Sequence, residues 1–434
     1  MASYKLKLAA ILLTSTAYLY KSITQRTPLY FLSPPPPLPA SISSTCTTHF
    51  PSILQNCEDF AILPNTTVLF LSCDRSRREW YHAFSAFPPG VDKGEVFMWD
   101  YSQPKVAPTL LSRAESLGAD FHPLGLSAVP TKGGEGGGVR LFVTNQAKKE
   151  ARVEVIDVDL KTKSARHKRS LKDAKIFSPN GIVGVDEDSF FITNDGFFSR
   201  RWSTALLFEV IFGAPGGQVV HVHIPPSASS ASGGKDSVLA YSVAWISLAN
   251  GLALDRVKQK LYVASSTHGI YTYSIPDMAH AFHAIPESFH RTPFSADNLH
   301  LGPTGRLFVS GISSLSAFAT SMLAEGKVGP PAWTAELLPA VDKSDRREVA
   351  LRGLDPANSP LRKEEWVWRS IYMDDGKFFG GVSTGGVVDV QGTFVGVSVV
   401  GKGVLVCKKV LERPGVLVKK VEKGEGEEKV KEEL

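Results

Sequence analysis

Glu58, Asn180, Asn250, Asp297 and Asn298 are oxygen donors that recur at one position of a repeated sequence unit. Six similar segments open on Glu58-Asp59, Leu124-Gly125, Asn180-Gly181, Asn250-Gly251, Asp297-Asn298 and Arg369-Ser370. Two carboxylates and three amides, with no His or Cys among them, suit a hard cation. Calcium takes about 6 to 8 oxygens at roughly 2.3–2.6 Å and accepts both donor types, whereas magnesium wants stricter octahedral geometry and keeps more water. A bound divalent ion polarises a carbonyl or phosphoryl oxygen and acidifies water. Asp297 is both ligand and carboxylate, so it could hold or deprotonate that water. Taken singly, NG and DN are ordinary turn dipeptides; their recurrence in equivalent units argues for a site. Asp195, at the end of ITND, and His122, two residues before Leu124, are further candidate bases. The plain reading of a histidine there is a loop residue, unless the loop turns it inward. Phe197 and Phe198 follow Asp195 and would wall an apolar pocket or belong to the core.

The elements that must bring these residues together are strands. Each segment is a short apolar run, a turn rich in Asp, Gly, Pro and Lys, then a second apolar run, as hairpins require. The segments start 47 to 72 residues apart, room for one four-stranded blade each. Runs at 94–101, 151–158 and 269–275 supply further strands. The pattern predicts an all-β, six-bladed β-propeller. A pair of β-sandwiches is the alternative, but it does not call for the same hairpin six times. In a propeller the inner strands begin at one mouth of the channel, so equivalent positions converge on the axis. Polar or Gly/Ser-rich insertions at 131–138, 225–234 and 342–360 belong on loops.

The chain divides into an N-terminal segment (1–44), the propeller (45–412) and a charged tail (413–434). With 43% hydrophobic and 21% charged residues the composition is that of a globular core. The net charge of +5 is small and its basic residues are scattered, which gives no case for nucleic acid. Lys5 and Lys7 precede an apolar run at 8–20, the layout of a secretory signal, cleaved or retained as an anchor. A stiff Pro-rich spacer follows at 33–39. The chain finishes Lys431-Glu432-Glu433-Leu434, which is similar to an ER-retrieval tetrapeptide. These features point to the secretory pathway: the endoplasmic reticulum, a membrane surface or the outside of the cell. Asn65-Thr66-Thr67 is an N-glycosylation sequon. Cys46 and Cys407 bracket the repeats, and a bond between them would latch a ring shut; buried free thiols are the alternative. Cys57 and Cys73 stay open as a pair or as two thiols.

The segments CEDFAILPN, HPLGLSAV, RHKRSL leading to PNGIV, SFFITND, LANGLALD, ADNLHLGPTGRLFV and GVLVC together resemble the paraoxonase/arylesterase family of calcium propellers, from about residue 46 to 407. The resemblance implies that Glu58, Asn180, Asn250, Asp297 and Asn298 hold a catalytic calcium, that Cys46 and Cys407 form the disulfide, and that the N-terminal run is a retained anchor. Residues 200–212 lie where the family has a membrane-facing helix, though an ordinary surface helix would read the same. The implied activity is hydrolysis of esters or lactones. Three departures stand against a plain transfer. Leu124 replaces a catalytic histidine before the glycine. Gln146 replaces a second histidine after Asn145. Asp59 matches a ligand of the family's structural calcium, but Gly181 stands where the partner aspartate would, so a second ion is not carried across. Two other readings follow: a non-catalytic calcium propeller that binds a lipid, an apolar ligand or a protein, and a strictosidine-synthase-like condensing fold. The intact oxygen set argues against the latter.

Overall fold

Hairpin turns and short apolar runs fold the chain into six four-stranded antiparallel sheets. In this computed structural model the described residues are 13–17, 20, 45–80, 90–111, 117–132, 138–197, 209, 213, 215–225, 238–278, 281–323, 329–339 and 366–410. The first blade is β2 (Cys57–Ile62), β3 (Val68–Cys73), β4 (Glu95–Asp100) and β5 (Thr109–Leu110). The second is β6 (Pro123–Pro130), β7 (Gly138–Asn145), β8 (Arg152–Asp159) and β9 (Ser164–Leu171). The third is β10 (Pro179–Asp186), β11 (Ser189–Asn194), β12 (Gly217–His223) and β13 (Leu239–Ile246). The fourth is β14 (Ala249–Asp255), β15 (Lys260–Ser265), β16 (Gly269–Ser274) and β17 (Ile285–His290), and the fifth β18 (Ser295–Leu301), β19 (Leu307–Ile312), β20 (Ala332–Pro339) and β21 (Trp366–Asp374). The sixth is composite. β22 (Val382–Val387), β23 (Phe394–Ser398) and β24 (Val404–Cys407) take their outermost strand from the far end of the chain, β1 (Cys46–His49). Short helices α1 (Arg77–Trp80) and α2 (Leu315–Leu323) lie in connections.

Each blade packs face to face with two neighbours, so strands near the axis are buried on both faces rather than alternating: every position of β11 (SFFITN), polar residues included, is buried. The outer strand β9 alternates exposed and half-buried residues because one face meets water. The core is accordingly a series of wedges between blades. Leu69, Phe97 and Trp99 of the first blade meet Val395, Val397 and Val404 of the sixth. Phe142 of the second meets Phe190 and Ile192 of the third.

The sixth repeat is placed differently from the sequence expectation. Arg369-Ser370 lies on β21, the outer edge of the fifth blade, and the true inner strand of the sixth is β22, with Ser383 at the axial position. Two disulfides fasten the ring. Cys46–Cys407 joins facing residues of β1 and β24, closing the circle. Cys57–Cys73 joins facing residues of β2 and β3. Asn65 is exposed on the β2–β3 turn, at the end of the blade away from Cys57. Of residues 1–44 only 13–17 and 20 are described, and they are helical. The Pro-rich spacer, the tail from 411, Phe198 and most of 200–212 lie outside the described residues, as do most of the three insertions. Among the described residues no helix is long and apolar enough to cross a membrane.

The packing is expected to make the fold less stable in acid. His221 is pushed down to about 4 by burial and by His223, against the pull of Asp186, and His290 to about 4 by burial and by Lys260. Both groups hold fewer protons folded than unfolded. Their neutral form is tolerated above the ordinary value near 6.5, and stability is lost as pH falls from there towards 4. Each is expected to cost about 2 kcal/mol at pH 5. Thermal midpoints in chelator between pH 7.5 and 5 test this. His221→Phe should flatten part of the slope, and an unchanged slope would contradict the assignment.

Candidate functional site

Every inner hairpin carries a register shift at the same place. The shifts fall at Cys57/Asp59, Pro123/Leu126, Pro179/Ile182, Ala249/Leu252, Ala296/Leu299 and Val382/Thr384. A bulge adds an unpaired residue, bends its strand and re-aims its side chain. Glu58, Leu124, Asn180, Asn250, Asp297, Asn298 and Ser383 all sit in these bulges, at the mouth where the inner strands begin. The repeat spacing therefore brings together the expected oxygen donors and places Leu124 and Ser383 beside them.

The bulges nest against one another. A Cβ on Gly181 would stand 2.7 Å from the Asn250 carbonyl oxygen, and one on Gly251 would stand 2.5 Å from the Asn298 Cα. Glycine follows the axial residue because neighbouring backbone occupies the space a side chain would need. Hydroxyls on adjacent strands tie bulge to bulge. Thr144 Oγ1 donates to the Asn180 carbonyl at 2.8 Å, and Thr193 Oγ1 to that of Asn250 at 2.6 Å. Ser383 Oγ and Thr384 Oγ1 donate to the Glu58 carbonyl at 2.6 and 3.0 Å. The last two join the sixth blade to the first.

Asn298 Nδ2 donates to Glu58 Oε1 at 2.8 Å, linking the fifth blade to the first across the axis. Asn250 Nδ2 donates to Ser266 Oγ at 3.0 Å, which fixes the amide. Asn250 Oδ1 and Asn180 Oδ1 are buried without a hydrogen-bond partner. A buried acceptor left so costs about 1–3 kcal/mol, and native interiors rarely keep two in one place. The donor set and these two oxygens fit a hard cation at the axis, which Glu58, Asn180, Asn250, Asp297 and Asn298 would hold. Among the described residues no cluster of three or more His, Cys, Asp or Glu is placed to hold a metal.

Asp59 is engaged otherwise. Its carboxyl accepts from the backbone N–H of Leu126 at 3.0 Å and of Phe60 at 2.8 Å, and from Thr384 Oγ1 at 2.9 Å. Burial and the neighbouring Glu58 push it up to about 8 despite these donors. Gly181 has no side-chain oxygen to pair with it.

A second ring of mouth residues follows the second strand of each blade. The backbone N–H groups of Asp74, Gln146, Asp195 and Ser266 donate to the carbonyls of Asn56, His122, Ser178 and Leu248, the residues just ahead of the inner strands. Asp195 is buried and accepts from Ser178 Oγ. Gln146 Nε2 donates to the Pro179 carbonyl at 2.5 Å. Leu124 packs with Trp80 and Val91. His122 is 0% exposed, and its Nδ1 donates to Asp74 Oδ2 at 2.9 Å. Asp74 is the residue that sequence reasoning missed; its place beyond a strand end, equivalent to Asp195, was the available signal. Phe197 is exposed beside Asp195, its N–H donating to Glu209 Oε1 at 2.9 Å.

Comparison with known proteins gives the chain's family. The arylesterase family model matches residues 44–310. Serum paraoxonase/arylesterase 2 of Gallus gallus is 30% identical over 211 residues, 48% of this chain and 52% of that protein. Serum paraoxonase/arylesterase 1 of Mus musculus is 25% identical over 267 residues, 58% and 65% of the two chains. The chain thus spans about half to two thirds of the length of these curated relatives. Among solved structures, a gluconolactonase of Xanthomonas campestris aligns with a TM-score of 0.44 at 12% identity, covering 87% of this chain and 96% of that one. The family match takes in more than half of the chain and every axial residue from Glu58 to Asn298, and the chain belongs to the arylesterase family.

Proposed function

We propose that the propeller is a calcium-dependent hydrolase of carboxylic esters or lactones that works in the secretory pathway. The observation that carries this reading is the pair of buried, unpartnered amide oxygens of Asn180 and Asn250, set in one ring of bulges with Glu58, Asp297 and Asn298. Family membership supports the reaction class. Bound there, calcium would polarise the scissile carbonyl and offset the charge that develops on its oxygen. Glu58 and Asp297 would balance the ion's charge, the three amides would add neutral oxygens, and Asp297 could also hold the attacking water. Leu124 offers an apolar wall for an acyl or aryl group. One catalytic ion suffices, since Asp59 already accepts three hydrogen bonds. The two disulfides suit an oxidising compartment, and the N-terminal run with residues 200–212 would meet a membrane surface. Glycosylation at Asn65 would sit away from the mouth.

A specific observation favours one rival, a calcium propeller that binds an apolar ligand without turnover. Leu124 takes no proton, and the Gln146 amide is occupied by the Pro179 carbonyl. Purified full-length protein assayed on phenyl acetate and δ-valerolactone, with calcium and with EDTA, separates the two. Turnover that EDTA abolishes and calcium restores supports the hydrolase. Calcium-dependent stabilisation without turnover supports the binding module.

A further inference from the structure

The mouth holds a carboxylate–imidazole pair that the axial ring does not use. Asp74 follows β3 and ends the first blade's inner hairpin; His122 precedes β6 and opens the second blade. Their side chains are both 0% exposed, and His122 Nδ1 donates to Asp74 Oδ2 at 2.9 Å. Three further contacts hold this arrangement. Trp80 Nε1 donates to the same Asp74 oxygen at 3.0 Å, and the Ser76 N–H donates to Asp74 Oδ1 at 2.9 Å. The Trp80 ring meets the His122 ring edge-on at 5.3 Å. The His122 backbone is held from the second blade as well: its N–H donates to Asn145 Oδ1 at 2.9 Å, and its carbonyl accepts from the Gln146 N–H at 2.9 Å. Arg77, stacked over Trp80 at 5.5 Å, donates to the Asn56 carbonyl and to the Pro123 carbonyl next to His122.

Two of these contacts hold the imidazole itself, and the rest hold its carboxylate partner and its backbone. A carboxylate on Nδ1 fixes the tautomer whose Nε2 accepts a proton, and it stabilises the imidazolium that results. Leu124, two residues on, lies in the second blade's axial bulge and packs against the same Trp80, so the pair shares a neighbour with an axial residue.

We propose that His122 is the general base of the hydrolysis and that Asp74 is its positioning residue, an assignment that rests on the hydrolase reading above. His122 Nε2 takes a proton from water as the water oxygen bonds to the ester carbonyl carbon and the carbonyl π pair moves onto its oxygen. As that pair returns, the acyl C–O bond breaks. The leaving alcohol takes the proton back from His122, and a carboxylic acid is released. No oxidant or other reactant is consumed.

The test uses the full chain with calcium and phenyl acetate. Asp74→Asn and His122→Gln are each expected to lower kcat roughly 100-fold or more, with KM and the calcium concentration for half-activation unchanged. His122→Ala should recover part of the loss when imidazole is added. Trp80→Phe keeps the stacking but removes one donor to Asp74, and should lower kcat several-fold without loss of fold. Variants that keep kcat within threefold would overturn the proposal, as would losses that track the thermal midpoint and calcium affinity while imidazole rescues nothing. If the wild type binds calcium but hydrolyses no ester or lactone, the hydrolase reading falls and the pair's role with it. If the wild type is active and the variants are unimpaired, the pair alone falls.

Discussion

Asp297→Asn is expected to weaken calcium binding roughly 100-fold or more and to bring ester turnover down to the level of the chelated wild type. The substitution keeps size and shape, so the bulge at Ala296/Leu299 should survive, with Asn298 still donating to Glu58. What it removes is one of two carboxylates in a set otherwise made of neutral amides. Affinity of oxygen sites for calcium is set largely by ligand charge and site rigidity, over about six decades. The ring is rigid, tied by Thr144, Thr193, Ser383 and Thr384, so the charge carries the effect. Calorimetric titration with calcium checks the first part and phenyl acetate hydrolysis the second. A variant that binds calcium like the wild type would remove Asp297 from the site.

The double variant Cys46→Ser, Cys407→Ser should lose about 3–5 kcal/mol of stability, roughly 5 °C in thermal midpoint for a chain of this size. The bond spans 361 residues, so its loss gives the unfolded chain the freedom of a very long loop. The sixth blade depends on it in a second way. Its outer strand β1 has only four paired residues, Cys46 to His49, to hold it against β24. Once β1 frays, the junction between the sixth and first blades weakens, and that junction carries the bonds from Ser383 and Thr384 to Glu58. Calcium should therefore bind more weakly to the variant and restore less of the lost midpoint. A midpoint unchanged under oxidising conditions would show that β1 pairing alone closes the ring.

Much of this architecture is written locally. NG and DN at Asn180, Asn250 and Asp297 are legible because a bulge next to a tightly packed neighbour needs glycine or a short polar residue, and these recur with each blade. The sixth blade is hard to place from sequence because its inner strand, VSTGGV, has small residues and little alternation, whereas RSIYMD of β21 imitates a repeat start. Its remaining strand comes from the opposite end of the chain, a pairing that no local pattern encodes. The Cys57–Cys73 bond hinges on register: one residue of slip would turn the two side chains to opposite faces. Asp74 and His122 lie 48 residues apart in different blades, and only the nesting of blade on blade joins them.

The most direct test is calcium titration of the metal-stripped wild type by calorimetry, with phenyl acetate hydrolysis followed on the same sample. One calcium per chain, with turnover rising in proportion to its binding, is the predicted result. Turnover that is equal in chelator and in calcium, or a titration that shows no calcium bound, would contradict the assignment of Glu58, Asn180, Asn250, Asp297 and Asn298 as a catalytic metal centre.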